Sequence, residues 1–395
     1  MATESGTQRR FGLMQMAYWG LVGTFTSYIV TLLTVRGYSS AQIGLLTAGT
    51  TAGFLIGQTV LGAVADATRK NRRLYILCCV CSFAACMALY FANALWQVAV
   101  SMFVLGLFRD PGSCILDSWV IKHYAGEPER FGAIRSRGSV FYAVFMLGYG
   151  FVLDALGMDV LPVTNAVFAV LCVVSALSVP ELEGAPRERS AGRSGFSSLK
   201  GVMSPLMLAA MLLFFLLGLC AQSMLSFMPV VLDGLGGTVS MLGIMYFASA
   251  FSEYFFMRGL PFMRAFHVYG RLLISTGLYV LATVLAAFAS QPWMLVGTMA
   301  VSGAAYGLQL PARREVVARM VPERFQTSVH GVMDMLYSGF GLMMGTAMVG
   351  ALIDGAGSRA ALLLCAGLQL VAACVALAAG AMSRRQIGTG AISGK

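Results

Sequence analysis

The sequence is poor in charge. Of its 395 residues only 11% are Asp, Glu, Lys or Arg, against 58% hydrophobic, where a soluble globular domain carries about 25% charged residues. So few charges cannot cover a water-facing surface, which excludes secreted, cytosolic and nucleic-acid-binding proteins. Histidine is scarcer still, at three residues. No His-rich or Cys/His cluster stands at ligand spacing, which argues against a metal centre and against the nucleophile–base or metal constellation of an intramembrane enzyme. The nine cysteines lie inside apolar runs with no ligand-like neighbours and read as small buried hydrophobes. Long polar stretches are also missing, with one exception at 181–203.

What is present is apolar length. A membrane-crossing helix takes about 20 apolar residues, and hydropathy places twelve such spans, near 12–35, 42–65, 74–92, 94–121, 132–153, 160–179, 205–231, 239–262, 272–290, 293–320, 327–352 and 360–382. The fold class expected is therefore an all-α membrane protein of twelve transmembrane helices. The connection 181–203, ELEGAPRERSAGRSGFSSLKGVM, has the composition of a flexible linker. It divides the chain into a bundle over 1–180 and a second over 204–395. Arg9 and Arg10 lead into a long helix with no small-residue cleavage site, so the first segment is expected to stay as an anchor.

The net charge of +10 is explained by where it sits. If both termini lie inside, most of the Lys and Arg residues fall on cytoplasmic segments and the external loops keep only Arg36 and Arg359. Basic residues accumulate on the cytoplasmic side. Both termini and the 181–203 linker are thus expected to be cytoplasmic, in an inner or plasma membrane.

The two halves repeat. Pro111 recurs as Pro311, Glu129-Arg130-Phe131 as Glu323-Arg324-Phe325, and Leu153-Asp154 as Ile353-Asp354, at offsets of 200, 194 and 200 residues. Three matches in order point to a duplicated six-helix unit, and hence to two pseudo-symmetric bundles that rock about a central site.

Charges within the spans mark the candidate sites, because a charge at the centre of a span costs about 2.5–3.5 kcal/mol on insertion scales. Asp117 and Arg135 each lie nine residues from Gly126, the centre of a loop between antiparallel spans, which places them at one depth where they can pair or share a polar ligand. A structural brace between two helices is the alternative. Glu315 and Asp334 lie nine and ten residues either side of Arg324. Two acids at one level suit a protonatable or cation-binding site, with Arg313 and Arg314 as counter-charges, or else a salt-bridge cluster at an inner gate. Glu253, in FASAFSEYFFM, is expected among Phe251, Tyr254, Phe255 and Phe256, with little solvent. Arg109 and Gln309 complete the candidate binding set, and Asp110 joins the charge clusters. Gly49, Gly53 and Gly57 in span two, and Gly341, Gly345 and Gly350 in span eleven, read as faces for close helix approach.

Gly62, Asp66 and the basic cluster Arg69–Arg73 after span two resemble the loop signature of the major facilitator superfamily. In detail the segment is similar to the lactose-permease and phenylpropionate-permease branch, matching at Gly44, Gln58, Gly62 and Asp66. A second match runs from Leu116-Asp117-Ser118 to FGAIRSRGSVFY. The glycine usual before the basic pair is absent, with Arg69 near its place. Asp66 ends span two beside the arginines that include Arg69, so the cluster reads as a latch for one conformation or as a solvated basic loop that serves only topology; the resemblance implies that Asp117 and Arg135 bind substrate. It also puts Tyr142 where the branch places a tryptophan against a sugar ring, and Glu253 at an acid of the eighth helix. The histidine–glutamate pair and the arginine that complete the branch's proton machinery in helices nine and ten have no counterpart here.

These readings lead to a secondary transporter that moves a small polar organic solute (sugar, nucleoside or aromatic acid) by alternating access and proton symport. A proton-antiport exporter of drugs or metabolites is the alternative, and a membrane enzyme or receptor is a more distant one. No cofactor is expected beyond the coupling ion. The partners expected are the solute and membrane lipid, without nucleic acid, and the architecture suits a monomer.

Overall fold

The computed structural model describes residues 2–68, 70–124, 127–179, 203–257 and 266–388. Among these every regular element is a helix. The first half holds α1 (Ala2–Phe25), a 3-10 turn (Thr26–Tyr28), α2 (Ile29–Val35), α3 (Ser40–Thr68), α4 (Asn71–Phe91), α5 (Leu95–His123), α6 (Pro128–Leu156) and α7 (Val160–Leu177). The second holds α8 (Pro205–Leu217), a π-helical stretch (Gly218–Gln222), α9 (Ser223–Gly234), α10 (Val239–Met257), α11 (Val268–Ala287), α12 (Met294–Met320) and α13 (Glu323–Asp334). A second π-helical stretch (Met335–Gly341) then leads into α14 (Leu342–Gly388).

Among the described residues, ten stretches are long and apolar enough to cross a membrane. One of them, Val329–Arg384, has 56 residues, about 84 Å of helix at 1.5 Å per residue, too long for one crossing. It breaks at Gly357, where φ is +83°, and so supplies two spans. The 27-residue α12 has the length of a span, but its glycines, Gln309 and the charged run Arg313–Glu315 dilute its apolar character. With both counted, the described residues are consistent with twelve spans. Gly157, at φ +78°, turns the chain at the end of α6, so it and Gly357, two of the positive-φ glycines, stand 200 residues apart, one in each repeat.

The chain divides into two compact units, Met1–Arg187 with Thr238–Phe247, and Glu188–Gly237 with Ala248–Lys395. The grouping of Thr238–Phe247 with the first unit departs from a simple division at a linker. Its physical basis is a helix cap: Asp154 accepts hydrogen bonds from the Val239 and Ser240 N–H groups, each at 2.9 Å, satisfying donors that a helix N-terminus leaves open. The 181–203 segment lies, except for Met203, outside the described residues.

In the first unit α1 packs on α6 and α7, and α5 on α3 and α4. Phe11, Met14, Tyr18, Tyr75, Leu116 and Trp119 form the heart of its core. The α3–α5 contact is backbone on backbone. A Cβ at Gly106 would fall 1.8 Å from the Thr50 carbonyl oxygen, at Gly53 2.2 Å from that of Phe103, and at Gly57 2.0 Å from that of Leu107. Leu107 is also the residue whose carbonyl loses its helical donor to Pro111. Gly49, expected on the same face, has nothing within 4 Å; at this level the close contact is made by the Thr50 carbonyl, and the Gly49 Cα–H points elsewhere.

In the second unit α11 packs on α12 and α14, and α8 on α14. Leu213, Phe214, Leu217, Leu272, Tyr279 and Tyr337 are central to its core. The two π-helical stretches meet, since a Cβ at Gly218 would lie 2.1 Å from the Tyr337 carbonyl oxygen. A Cβ at Gly341 would fall 2.8 Å from the Phe215 carbonyl oxygen and one at Gly345 2.0 Å from that of Leu219, as the glycine spacing in this span predicts.

Candidate functional site

Each unit carries a cluster of polar and aromatic side chains inside its spans, beside further ion pairs that stand apart from it. In the first, the α5–α6 hairpin does what its spacing predicts: Arg135 Nε lies 3.4 Å from Asp117 Oδ2, with both side chains a little over a quarter exposed. A third residue, not evident from spacing, completes the arrangement. Gln15 of α1, 1% exposed, donates from Nε2 to Asp117 Oδ1 at 2.8 Å. The carboxylate is therefore held on both oxygens, one by an amide and one by a guanidinium.

Trp19, one helical turn beyond Gln15, forms the other wall. The Arg135 guanidinium lies over its ring, 4.6 Å from Cζ to the centroid, and Tyr142 meets it edge-on at 5.7 Å. Gly138 makes room, because a Cβ there would fall 2.5 Å from Trp19. The Trp19 indole N–H is buried with no acceptor among the described residues. Tyr142 exchanges a hydrogen bond with the Ser27 hydroxyl at 3.0 Å, and the Ser27 carbonyl accepts from the Tyr246 hydroxyl at 3.1 Å. The cluster thus offers a carboxylate, a guanidinium, two aromatic faces and a free N–H donor within one helix hairpin and its neighbour. Gln15 and Trp19 have one sequence signal, an i, i+4 polar–aromatic pair inside an apolar run.

Arg109 does not join this pair. It turns back on its own neighbour Asp110, with Nε and Nη2 at 3.0 and 2.6 Å from the two carboxylate oxygens, while the Tyr18 hydroxyl donates to the Arg109 carbonyl. The Asp66 side chain and Arg69 lie outside the described residues.

The second unit separates what the sequence placed together. Glu315 and Asp334 do not form a two-acid site. Glu315 accepts from Arg271 of α11 and is paired with Arg319 one turn along α12 at 2.6 Å, whereas Asp334 pairs with Arg313 at 2.9 Å. Equal depth fixed the height of the two acids but not the helix face each one takes. Arg314, offered as a counter-charge, is exposed.

Around Arg313 the surroundings are aromatic and polar. Its guanidinium lies 4.8 Å from the Tyr337 ring centroid and 5.9 Å from that of Phe214. Gln222 donates to the Tyr337 hydroxyl at 2.7 Å, and the Tyr279 hydroxyl reaches Tyr337 and Gln309, each at 3.5 Å. Gln222 and Tyr337 both come from the π-helical stretches, a widening of the helix found mostly at functional sites. Gln309 Nε2 and Arg313 Nη1, an i, i+4 pair on α12, are buried donors without acceptors among the described residues.

Glu253 is half-buried on α10, which packs on α12 so closely that a Cβ at Gly307 would fall 2.6 Å from the Glu253 carbonyl oxygen. The carboxylate acts electrostatically on Tyr279 and Tyr306. Of the aromatic sheath expected around it, only Phe256 is half-buried, facing α12 at Gly307 beside the Glu253 carbonyl. Phe251, Tyr254 and Phe255 are 54%, 44% and 49% exposed, because residues at i, i+3 and i+4 share the outer face of the helix while Glu253 points away from it.

Compared with known proteins, residues 10–364 match the MFS_1 like family. The maltose permease of Geobacillus stearothermophilus is 25% identical over 305 residues, covering 76% of each chain. The uncharacterized transporter YwbF of Bacillus subtilis (strain 168) is 22% identical over 336 residues, covering 83% of each. Among solved structures, a mutant form of the nucleoside transporter NupG superimposes with a TM-score of 0.84 at 18% identity, over 94% of this chain and 99% of that one. A bacterial homologue of the human lysosomal transporter Spinster, in its inward-facing and unoccupied conformation, gives 0.70 at 17% identity, over 95% and 96%. These two likenesses are likenesses of fold.

Proposed function

The chain belongs to the MFS_1 like family, whose members carry small solutes across membranes, and on that premise we propose that it is a proton-linked symporter for a small polar organic solute, a sugar, nucleoside or aromatic acid. In this reading it is a carrier rather than an enzyme. It works as a monomer in the cytoplasmic membrane with both termini inside, uses no cofactor beyond the coupling ion, and engages no nucleic acid.

The observation that carries the reading is the Gln15–Asp117–Arg135 clamp seated on Trp19 and edged by Tyr142. Hydroxyls of a ring-shaped solute can replace part of the ion pair, because a carboxylate accepts and a guanidinium donates. An aromatic face covers the apolar side of such a ring. The maltose permease relative is a sugar carrier by name and the NupG neighbour a nucleoside carrier by name, and both solutes have this ring-and-hydroxyl character. Proton linkage is assigned to the second unit, where Glu253, Asp334 and Arg313 stand close to the tyrosine network; Glu315, held by two arginines, is the reserve acid.

The test is uptake into proteoliposomes of maltose, uridine and benzoate, with and without an imposed inward proton gradient. Symport predicts accumulation of one of them that collapses when a protonophore removes the gradient. Accumulation driven by the opposite gradient would identify an exchanger instead, and uptake indifferent to any gradient would overturn the proton linkage.

A further inference from the structure

A cavity of about 410 Å³ opens between the start of α11 and the last turns of α14, within the range of about 300–1,000 Å³ typical of small-molecule sites. It is lined by small residues, among them Gly270, Gly380 and Ala381, by the apolar Leu273 and Leu377, and by the polar His267, Tyr269 and Arg384. Leu377 is 56% exposed, and Leu370 and Val371 on the same helix are 55% and 51% exposed. Such apolar exposure on a membrane span belongs to the surface that faces lipid. The cavity therefore opens to the bilayer along its apolar length and ends among charges.

Those charges are mostly positive. Arg271 and Arg319 share a single acid, Glu315, and Arg384 stands at the cavity itself. Three arginines against one glutamate leave two positive charges without a counter-charge within this group. All of them act on His267, whose pKa is pushed down by burial and by Arg319, Arg384 and Arg271, against the opposing pull of Glu315. The histidine is thus neutral at physiological pH and adds a ring and hydrogen-bonding capacity rather than charge. It stacks on Tyr269 at 5.7 Å, which fixes the polar end of the cavity.

An occupant must satisfy both parts, a chain for the apolar walls and an anion for the arginines. A free inorganic anion leaves the walls unused. A zwitterionic headgroup brings an ammonium toward the same arginines. From this charge complementarity we infer that the cavity binds an anionic phospholipid, its phosphodiester headgroup between Arg384 and His267 and its upper acyl chain along Leu273 and Leu377. Basic pockets between spans at one membrane face are suited to such headgroups. The site is separate from both polar clusters and does not depend on which solute is carried.

The test is thermal unfolding of the full chain, purified in detergent, with added dioleoyl-phosphatidylglycerol, dioleoyl-phosphatidylcholine or inorganic phosphate. The expected result is a higher melting temperature with phosphatidylglycerol than with phosphatidylcholine, and no shift with phosphate. Two substitutions should each remove at least half of the lipid-specific shift. Arg384→Gln takes away the charge, and Ala381→Phe, at an exposed lining position, fills the groove and serves if the first variant folds poorly. Equal shifts with both lipids would overturn the inference, as would a phosphate shift equal to that of phosphatidylglycerol or a lipid shift that survives both substitutions.

Discussion

Arg313 and Asp334 meet at 2.9 Å from opposite environments, the arginine side chain 8% exposed and the aspartate 57%. The dependence is one-sided. Without Arg313, Asp334 still has solvent; without Asp334, the guanidinium is left, among the described residues, with the faces of Tyr337 and Phe214. A buried donor left unsatisfied costs about 1–3 kcal/mol, more when charged, while the exposure of Asp334 limits what the pair itself contributes to about 1 kcal/mol.

Asp334→Asn should therefore lower stability in detergent by about 1–3 kcal/mol, and Arg313→Gln added to it should restore part of the loss. Thermal unfolding of the single and double variants checks this. A double variant less stable than Asp334→Asn alone would show that Arg313 is held by its aromatic neighbours and not by the ion pair.

The clamp in the first unit predicts a different split. Asp117 and Arg135 are each a little over a quarter exposed, so their pairing contributes no more than about 1 kcal/mol to folding. Asp117→Asn and Arg135→Ala should then melt close to the parent protein yet lose solute binding. Gln15→Leu should weaken binding without abolishing it, because one carboxylate oxygen keeps its partner. Solute counterflow in proteoliposomes, set beside melting curves, separates these outcomes. Loss of fold with binding intact in the surviving fraction would make the clamp a brace.

Glycines of one sequence pattern should behave in two ways. Gly53→Ala, Gly57→Ala and Gly106→Ala each drive a methyl group into a facing carbonyl. Overpacking of this kind costs about 1–3 kcal/mol. Gly49→Ala meets nothing within 4 Å and should be neutral or slightly stabilising, as alanine is favoured over glycine in a helix by up to about 1 kcal/mol. Expression level and melting temperature of the four variants are the readout.

The twelve spans were legible because apolar length is written locally, residue after residue. The Asp117–Arg135 approach was legible for a related reason: in an antiparallel hairpin, equal counts from the turn give equal depth. Depth is all that counting gives. For Glu315 it supplied no azimuth, so the true partner, Arg271 on α11, stayed hidden. Gln15 reaches Asp117 across 102 positions of sequence, because α1 also touches α5, and no local pattern announces that contact. The π-helical stretches that present Gln222 and Tyr337 meet where Gly218 faces the Tyr337 carbonyl, a contact between distant parts of the chain that no local pattern announces.

Charge asymmetry predicts orientation. In a background without native cysteines, Gly234→Cys and Gly355→Cys should react with an impermeant maleimide added to intact cells. Both positions are exposed at turns of the chain, and a Cβ at either has nothing within 4 Å. Ser194→Cys should react only after the cells are opened. Reaction of Ser194→Cys in intact cells would invert the topology and with it the cytoplasmic placement of both termini.

Glu253 is the acid on which the coupling proposal rests most directly. Its helix contributes an apolar outer face of Phe251, Tyr254 and Phe255, and its carboxylate acts instead on Tyr279 and Tyr306. Tyr279 in turn reaches Tyr337 and Gln309, and Tyr337 carries the Arg313 guanidinium on its ring. A change of charge at Glu253 is therefore felt by the network that also holds the Arg313–Asp334 pair. Glu253→Gln carries the neutral form permanently, so it removes the charge change without removing the side chain's bulk. It should abolish accumulation of solute against a gradient and leave exchange of labelled for unlabelled solute within about two-fold of the parent protein, a difference below roughly 0.5 kcal/mol. If Glu253→Gln still concentrates solute, the coupling role passes to Asp334, where Asp334→Asn faces the same two assays. If exchange is lost together with accumulation, Glu253 contributes to solute binding and the coupling assignment fails.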